Sequence, residues 1–237
     1  MKEYNLELMI QGHEIWLETS SIENGIVSLS LLYGHNMKQD GLVDESRFQP
    51  HVYYQDGHEG EIELKTVDDR HYLIFKEGET GYMSAYADMG VVIYSQNEDG
   101  YNQGPKFQFK DVVYSGAFHQ MAKIIVPGKK PENYRPHTTH GILEIVPANP
   151  ECTVGSEIEL TVYYEDKPLP SVLVKAISKK EGKDIVSLET DANGVVKIPI
   201  SLDGEWMFLA RHVDSTKKVS DEFDESVFIT TLVLDAT

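Results

Sequence analysis

The chain has 237 residues, 41% hydrophobic and 25% charged, which is a globular composition and neither disordered nor low-complexity. Its 21 Lys and Arg stand against 39 Asp and Glu, leaving a net charge of −18 at pH 7. A field of that sign repels phosphate backbones and anionic lipid surfaces, so nucleic acid is excluded as a partner and cations are the natural guests.

Along the chain, short segments of period-two alternation bounded by Gly, Asn, Asp and Pro predict strands. They fall at Lys2–Gly12, Ile26–Tyr33, Gly60–Thr66, Arg70–Phe75, Gly81–Ala87, Val91–Ser95, Gly141–Pro147 and Ser156–Tyr164. Ser115–Val126 reads as a helix or as another strand. Without interleaved helices, this spacing predicts an all-β chain of two antiparallel β-sandwich domains. Two Pro and clustered polar residues in Gly128–His140 place a boundary there, giving domains over 1–140 and 141–237.

The second half reads as a sandwich of its own. Glu157–Tyr164 alternates for burial, and a Pro-containing turn at Asp166–Pro170 leads into a strand at Val172–Ala176. Asn193-Gly194 is a strong hairpin signal before Val195–Ile200, and Gly204–Ala210 follows. Val227–Leu234 (VFITTLVL) is apolar on both faces, as a covered strand should be. Trp16 and Trp206 are read as core anchors.

No 18-residue apolar run spans a membrane. The amino end lacks the apolar core of a secretory signal, so either the protein stays inside or its leader was replaced or removed. The single cysteine, Cys152, rules out an intramolecular disulfide framework and a Cys-rich zinc site, and reads as a free thiol.

Histidine separates the halves: eight of nine precede residue 141, leaving only His212 after it. His13-Glu14-Ile15-Trp16-Leu17-Glu18 resembles the opening motif of a bacterial family of periplasmic accessory components of nickel or cobalt uptake transporters. Leu32-Tyr33-Gly34-His35, Gly81–Val91, Asp99-Gly100-Tyr101, Gly104-Pro105-Lys106 and Leu143–Pro147 are similar in the same order. The remainder resembles an Ig-like sandwich of the transthyretin or carboxypeptidase-regulatory type, through Thr190–Gly194 and Gly204-Glu205-Trp206. The resemblance implies a periplasmic location, Ni2+ or Co2+ as the bound ion and membrane transporter subunits as partners. Twelve residues precede His13, so an α-amino ligand at that residue is not expected in this form.

Imidazole suits both ions, with carboxylate or amide donors completing the shell. The candidate ligands are His13, His35, His119, His137 and His140, any two or three of which could share one ion. Each could equally be a solvated or hydrogen-bonded structural residue. His51 and His58 flank an Asp-Gly hairpin tip and read as surface, His71 as structural, and His212 ranks low. Asp191-Ala192-Asn193-Gly194 begins like a calcium loop but has Leu202 where a bidentate Glu is required. The chain lacks a Gly-x-Ser-x-Gly elbow, a His-Glu-x-x-His helix and a phosphate-cradling loop, so catalysis is not expected. The expectation is non-catalytic binding of a divalent transition metal for a membrane transporter. The alternative is a structural or adhesive sandwich module recognising carbohydrate or protein through its 13 Tyr and two Trp.

Overall fold

Asn24 and Gly25 sit at φ +54° and +78°, the left-handed pair that a two-residue hairpin loop requires. In the computed structural model, which describes residues 12–237, they fold β1 (Glu14–Glu23) back on β2 (Ile26–His35) with Glu23 opposite Ile26. Asn36 and Met37, at +50° and +61°, repeat the device and turn β2 into β3 (Lys38–Gly41). The first half continues through β4 (Gln49–Tyr54), β5 (Glu59–Gly60), β6 (Ile62–Val67), β7 (Arg70–Lys76), β8 (Tyr82–Asn97), β9 (Gly100–Gln103) and β10 (Tyr114–Pro127). The second half supplies β11 (Leu143–Pro147), β12 (Glu157–Tyr164), β13 (Lys167–Pro168) and β14 (Leu173–Ser178). It ends with β15 (Lys183–Glu189), β16 (Val195–Pro199), β17 (Gly204–Asp214) and β18 (Glu225–Ala236). Two 3-10 turns complete the described residues, which contain no α-helix. The chain is all-β. The segment left open between helix and strand is β10, and the predicted strand Lys2–Gly12 lies outside the described residues except for Gly12.

Three sheets are stacked. β1, β2, β3, β6 and β7 form a five-stranded sheet; β11, β12, β13 and β16 form a four-stranded one. Between them runs a nine-stranded sheet in the order β15-β14-β17-β18-β10-β8-β4-β5, with β9 paired to β8. Alternation sends successive side chains of its strands to opposite faces. Ala122, Ile124 and Val126 of β10 enter the core under the first sheet, whereas Met121 and Ile125 enter the core under the third. β17 divides in the same way: Met207 and Leu209 point to one core, Trp206, Phe208 and Ala210 to the other. A strand covered on both faces should read as a nearly continuous apolar run, and Val227–Leu234 falls in β18 at the middle of this sheet. Two sandwiches therefore share their central sheet. Trp16 anchors one core and Trp206 the other, both fully buried.

The expected boundary near residue 140 marks a change of sheet, from β10 in the centre to β11 in the third. The halves nevertheless interlock, because β18 pairs in parallel with β10 over nine residues, from Gly116 opposite Glu225 to Ile124 opposite Val233. The junction itself is pinned. Lys123 and Glu144, each 1% exposed, pair at 3.0 Å, and Glu144 also accepts from the Thr139 and Gly141 amides and the Thr139 hydroxyl.

One turn differs from its expected role. Asn193-Gly194 does not close a hairpin, since β15 pairs with β14 in the central sheet and β16 with β12 in the third. Asp191 organises it as a crossing between layers, its carboxylate accepting from the amides of Asn193 and Val195. Gly194 is required there: at φ +75°, an added Cβ would lie 2.8 Å from the Leu169 amide nitrogen.

Candidate metal centre

The β2–β3 hairpin is irregular, and the irregularity builds the site. His35 faces Lys38 and Gly34 faces Gln39, but Tyr33 faces Gly41, so Asp40 is the extra residue of a β-bulge. Bulges re-aim a side chain and strengthen the local twist. The close approach has a sequence cause, because a Cβ on Gly34 would lie 2.0 Å from the Lys38 carbonyl oxygen and 3.0 Å from the Asp40 nitrogen. Only glycine leaves room for β3 at this point. On the other side of β2, Glu14 pairs with Gly34, which brings His13 to the edge of the same hairpin.

His13 stacks on Tyr33 with ring centroids 4.4 Å apart and planes 5° from parallel, and its ring lies 4.2 Å from that of His35. Asp40 bridges the two imidazoles: His13 Nε2 is 3.1 Å from Oδ1 and His35 Nδ1 is 2.7 Å from Oδ2. One donor atom from each of the three residues lies within 4.8 Å of the others, an arrangement that can hold a metal ion. The side chains are 39%, 41% and 44% exposed, so an ion could enter and leave without the fold opening. Burial and the neighbouring His35 lower the His13 pKa, favouring the neutral imidazole that ligates metals. The hydrogen bond from His35 holds the Asp40 carboxyl below its ordinary range, favouring the anion. Both residues are thus biased toward their ligating forms.

The other expected ligands lie elsewhere, each with its own partner. His119 on β10 is buried against Asp88, 2.6 Å from its carboxylate, in a structural pair joining β10 to β8. His137 in the junction places Nδ1 2.9 Å from the Arg135 carbonyl oxygen. His140 adopts φ +64° and approaches Tyr53 edge-on at 6.1 Å. The fold gathers His13 and His35 of the five, and His119, His137 and His140 do not join them. His71 bonds to Thr66 and the Val43 carbonyl, His58 pairs with Asp56, and His51 pairs with Glu59. His212 packs on Tyr164.

The sequence reading missed Asp40. Its signal was present in His35-Asn36-Met37-Lys38, a tight turn that returns the chain beside His35, with an acid two residues beyond. Glu14 was also missed. Burial pushes its carboxyl up to about 7, although the Asn36 amide donates to it at 3.1 Å.

The profile of the family described as "Domain of unknown function (DUF4198)" matches residues 10–214, most of the chain and all three cluster residues. No curated protein matches the chain. Among solved structures, the D0-D1 domain of intimin is similar at 11% identity over 94% of this chain and 97% of that one, with a TM-score of 0.23. The Clostridium thermocellum CbhA fibronectin(III)-like modules are similar at 12% identity over 93% and 94%, with a TM-score of 0.21.

Proposed function

This chain belongs to the DUF4198 family, and from the hairpin geometry we propose that it binds a divalent transition metal, nickel or cobalt, without catalysing a reaction. In this reading the ion is cargo, held by His13, His35 and Asp40 and passed on to a membrane transporter. The single observation that carries the reading is the convergence of two imidazoles and a carboxylate within 4.8 Å at an accessible hairpin. Two nitrogen donors and one oxygen suit borderline ions, and three protein ligands leave positions open for water or for a receiving ligand. A closed four-ligand shell would suit a structural ion; a partial, exposed shell suits one that is handed over. The resemblance of His13–Glu18 and Leu32–His35 to metal-uptake accessory proteins supports the same reading, since each segment contributes one histidine to the cluster.

Calorimetric titration of the untagged chain with nickel and cobalt tests it. Saturable binding of one ion per chain at micromolar metal is expected, weakened at least about tenfold by His13→Ala, His35→Ala or Asp40→Ala, or about 1.4 kcal/mol each. His119→Ala should leave the affinity unchanged. Absence of saturable heat, or equal affinity in all the variants, would reject the proposal.

A further inference from the structure

Next to the histidine pair, the first and central sheets part around a solvent-open cavity of about 630 Å³, within the size range of small-ligand pockets. Its apolar wall is Leu173, Leu209, Val213 and Ile229, all from the second half of the chain. Of the four charged side chains that line it, Arg211 on β17 and Glu14 on β1 come from opposite sheets. The Arg211 Nε is buried without a hydrogen-bond partner among the described residues. Glu225, near enough to influence Arg211, instead accepts a hydrogen bond from the Tyr114 hydroxyl at 2.8 Å. Across the same row of the central sheet, Ile229 faces Arg211 on one side and Gln120 on the other, and the Gln120 Oε1 is a second buried polar atom without a partner. Glu14 accepts the Asn36 amide but forms no ion pair among the described residues. By contrast, Lys175 and Asp184, which also line the cavity, satisfy one another at 3.4 Å.

A cavity whose walls hold one cation and one acid unpaired among the described residues, with apolar surface between, is complementary to a molecule carrying the opposite pair of charges. We propose that it binds a small zwitterion of the α-amino-acid class, with its carboxylate on Arg211, its ammonium on Glu14 and an apolar side chain against Leu209 and Ile229. The charge of the whole chain favours this class over a simple anion, because a field from −18 repels a lone carboxylate and leaves a net-neutral molecule unaffected. A partly buried guanidinium matches a carboxylate in two parallel hydrogen bonds, which gives orientation as well as affinity. The inference requires no metal at His13 and His35.

The test uses the full chain stripped of metal, titrated with L-leucine, 4-methylpentanoate and 3-methylbutylamine and followed by NMR shift changes. Leucine should saturate and bind at least about tenfold more tightly than either singly charged analogue, and Arg211→Gln or Glu14→Gln should each remove about tenfold. Failure of leucine to saturate, or equal binding of 4-methylpentanoate, would overturn the proposal. The analogue comparison needs no variant, so it decides even if a substitution impairs folding. A nickel titration in amino-acid-free buffer reads the hairpin separately, so failure of one site is distinguishable from failure of the other.

Discussion

Glu14 lines the cavity beside the histidine pair, and its titration gives a residue-scale prediction. Its folded pKa, raised to about 7, exceeds its unfolded value of 4.5, so the folded state holds this proton more tightly. Its contribution is fully present below pH 4.5 and is lost as pH rises through about 7. Glu14→Gln keeps an acceptor for the Asn36 amide without the buried charge. It should therefore stabilise the protein by about 2 kcal/mol at pH 8, after allowance for partial exposure, and by less than half of that at pH 5. Denaturant unfolding at the two pH values measures this; an equal effect at both would refute the assignment. At this scale the sequence was half legible. His13 and His35 stand in recognisable motifs, whereas Asp40 is one of 39 acids and acquires meaning only through a bulge. His119, His137 and His140 carry the same chemistry as His13 and His35, but the Asp88 carboxylate holds His119, the Arg135 carbonyl holds His137, and His140 stays exposed beside Tyr53.

Among the elements, the β2–β3 hairpin carries the most consequence for its size. Gly34→Ala would drive a methyl group into the Lys38 carbonyl, backbone that cannot rotate away, so β3 must shift. We expect a loss of about 1–3 kcal/mol in stability and at least about tenfold in metal affinity, measured by thermal unfolding and calorimetry; retention of full affinity would show that the close approach does not set the site. Most strands were legible because alternation survives wherever one face is wet. β1 escaped because Ile15, Trp16 and Leu17 are all buried in succession, which erases the period, although Asn24-Gly25 announced the turn that follows it. β10 escaped classification for a related reason: both of its faces are covered, and a strand buried on both sides has no period to read.

For the whole molecule, sharing of the central sheet is the organising fact. Removing β18 would strip β10 of a nine-residue ladder and open both cores at once. The intact chain should therefore unfold in a single transition, and the fragment 1–140 alone should show no cooperative melt. Two resolved transitions, or an independently folded fragment, would contradict this account. The sequence marked the junction at residues 128–140 through its Pro and polar residues. It held no local trace of β18 returning to β10, because that pairing joins segments far apart along the chain and depends on register across a sheet. The same long-range return places Arg211 and Ile229 opposite Glu14, so the cavity exists only in the complete fold.

The central claim is that the hairpin holds a metal. Anomalous X-ray diffraction at the nickel edge, from crystals of the nickel-loaded protein, tests it most directly. The account predicts one strong peak within about 2.1 Å of a nitrogen of both His13 and His35, a bond length typical of imidazole ligation, with an Asp40 oxygen in the same shell. A peak confined to His119, His137 or His140, or no peak at the hairpin in fully loaded crystals, would contradict it.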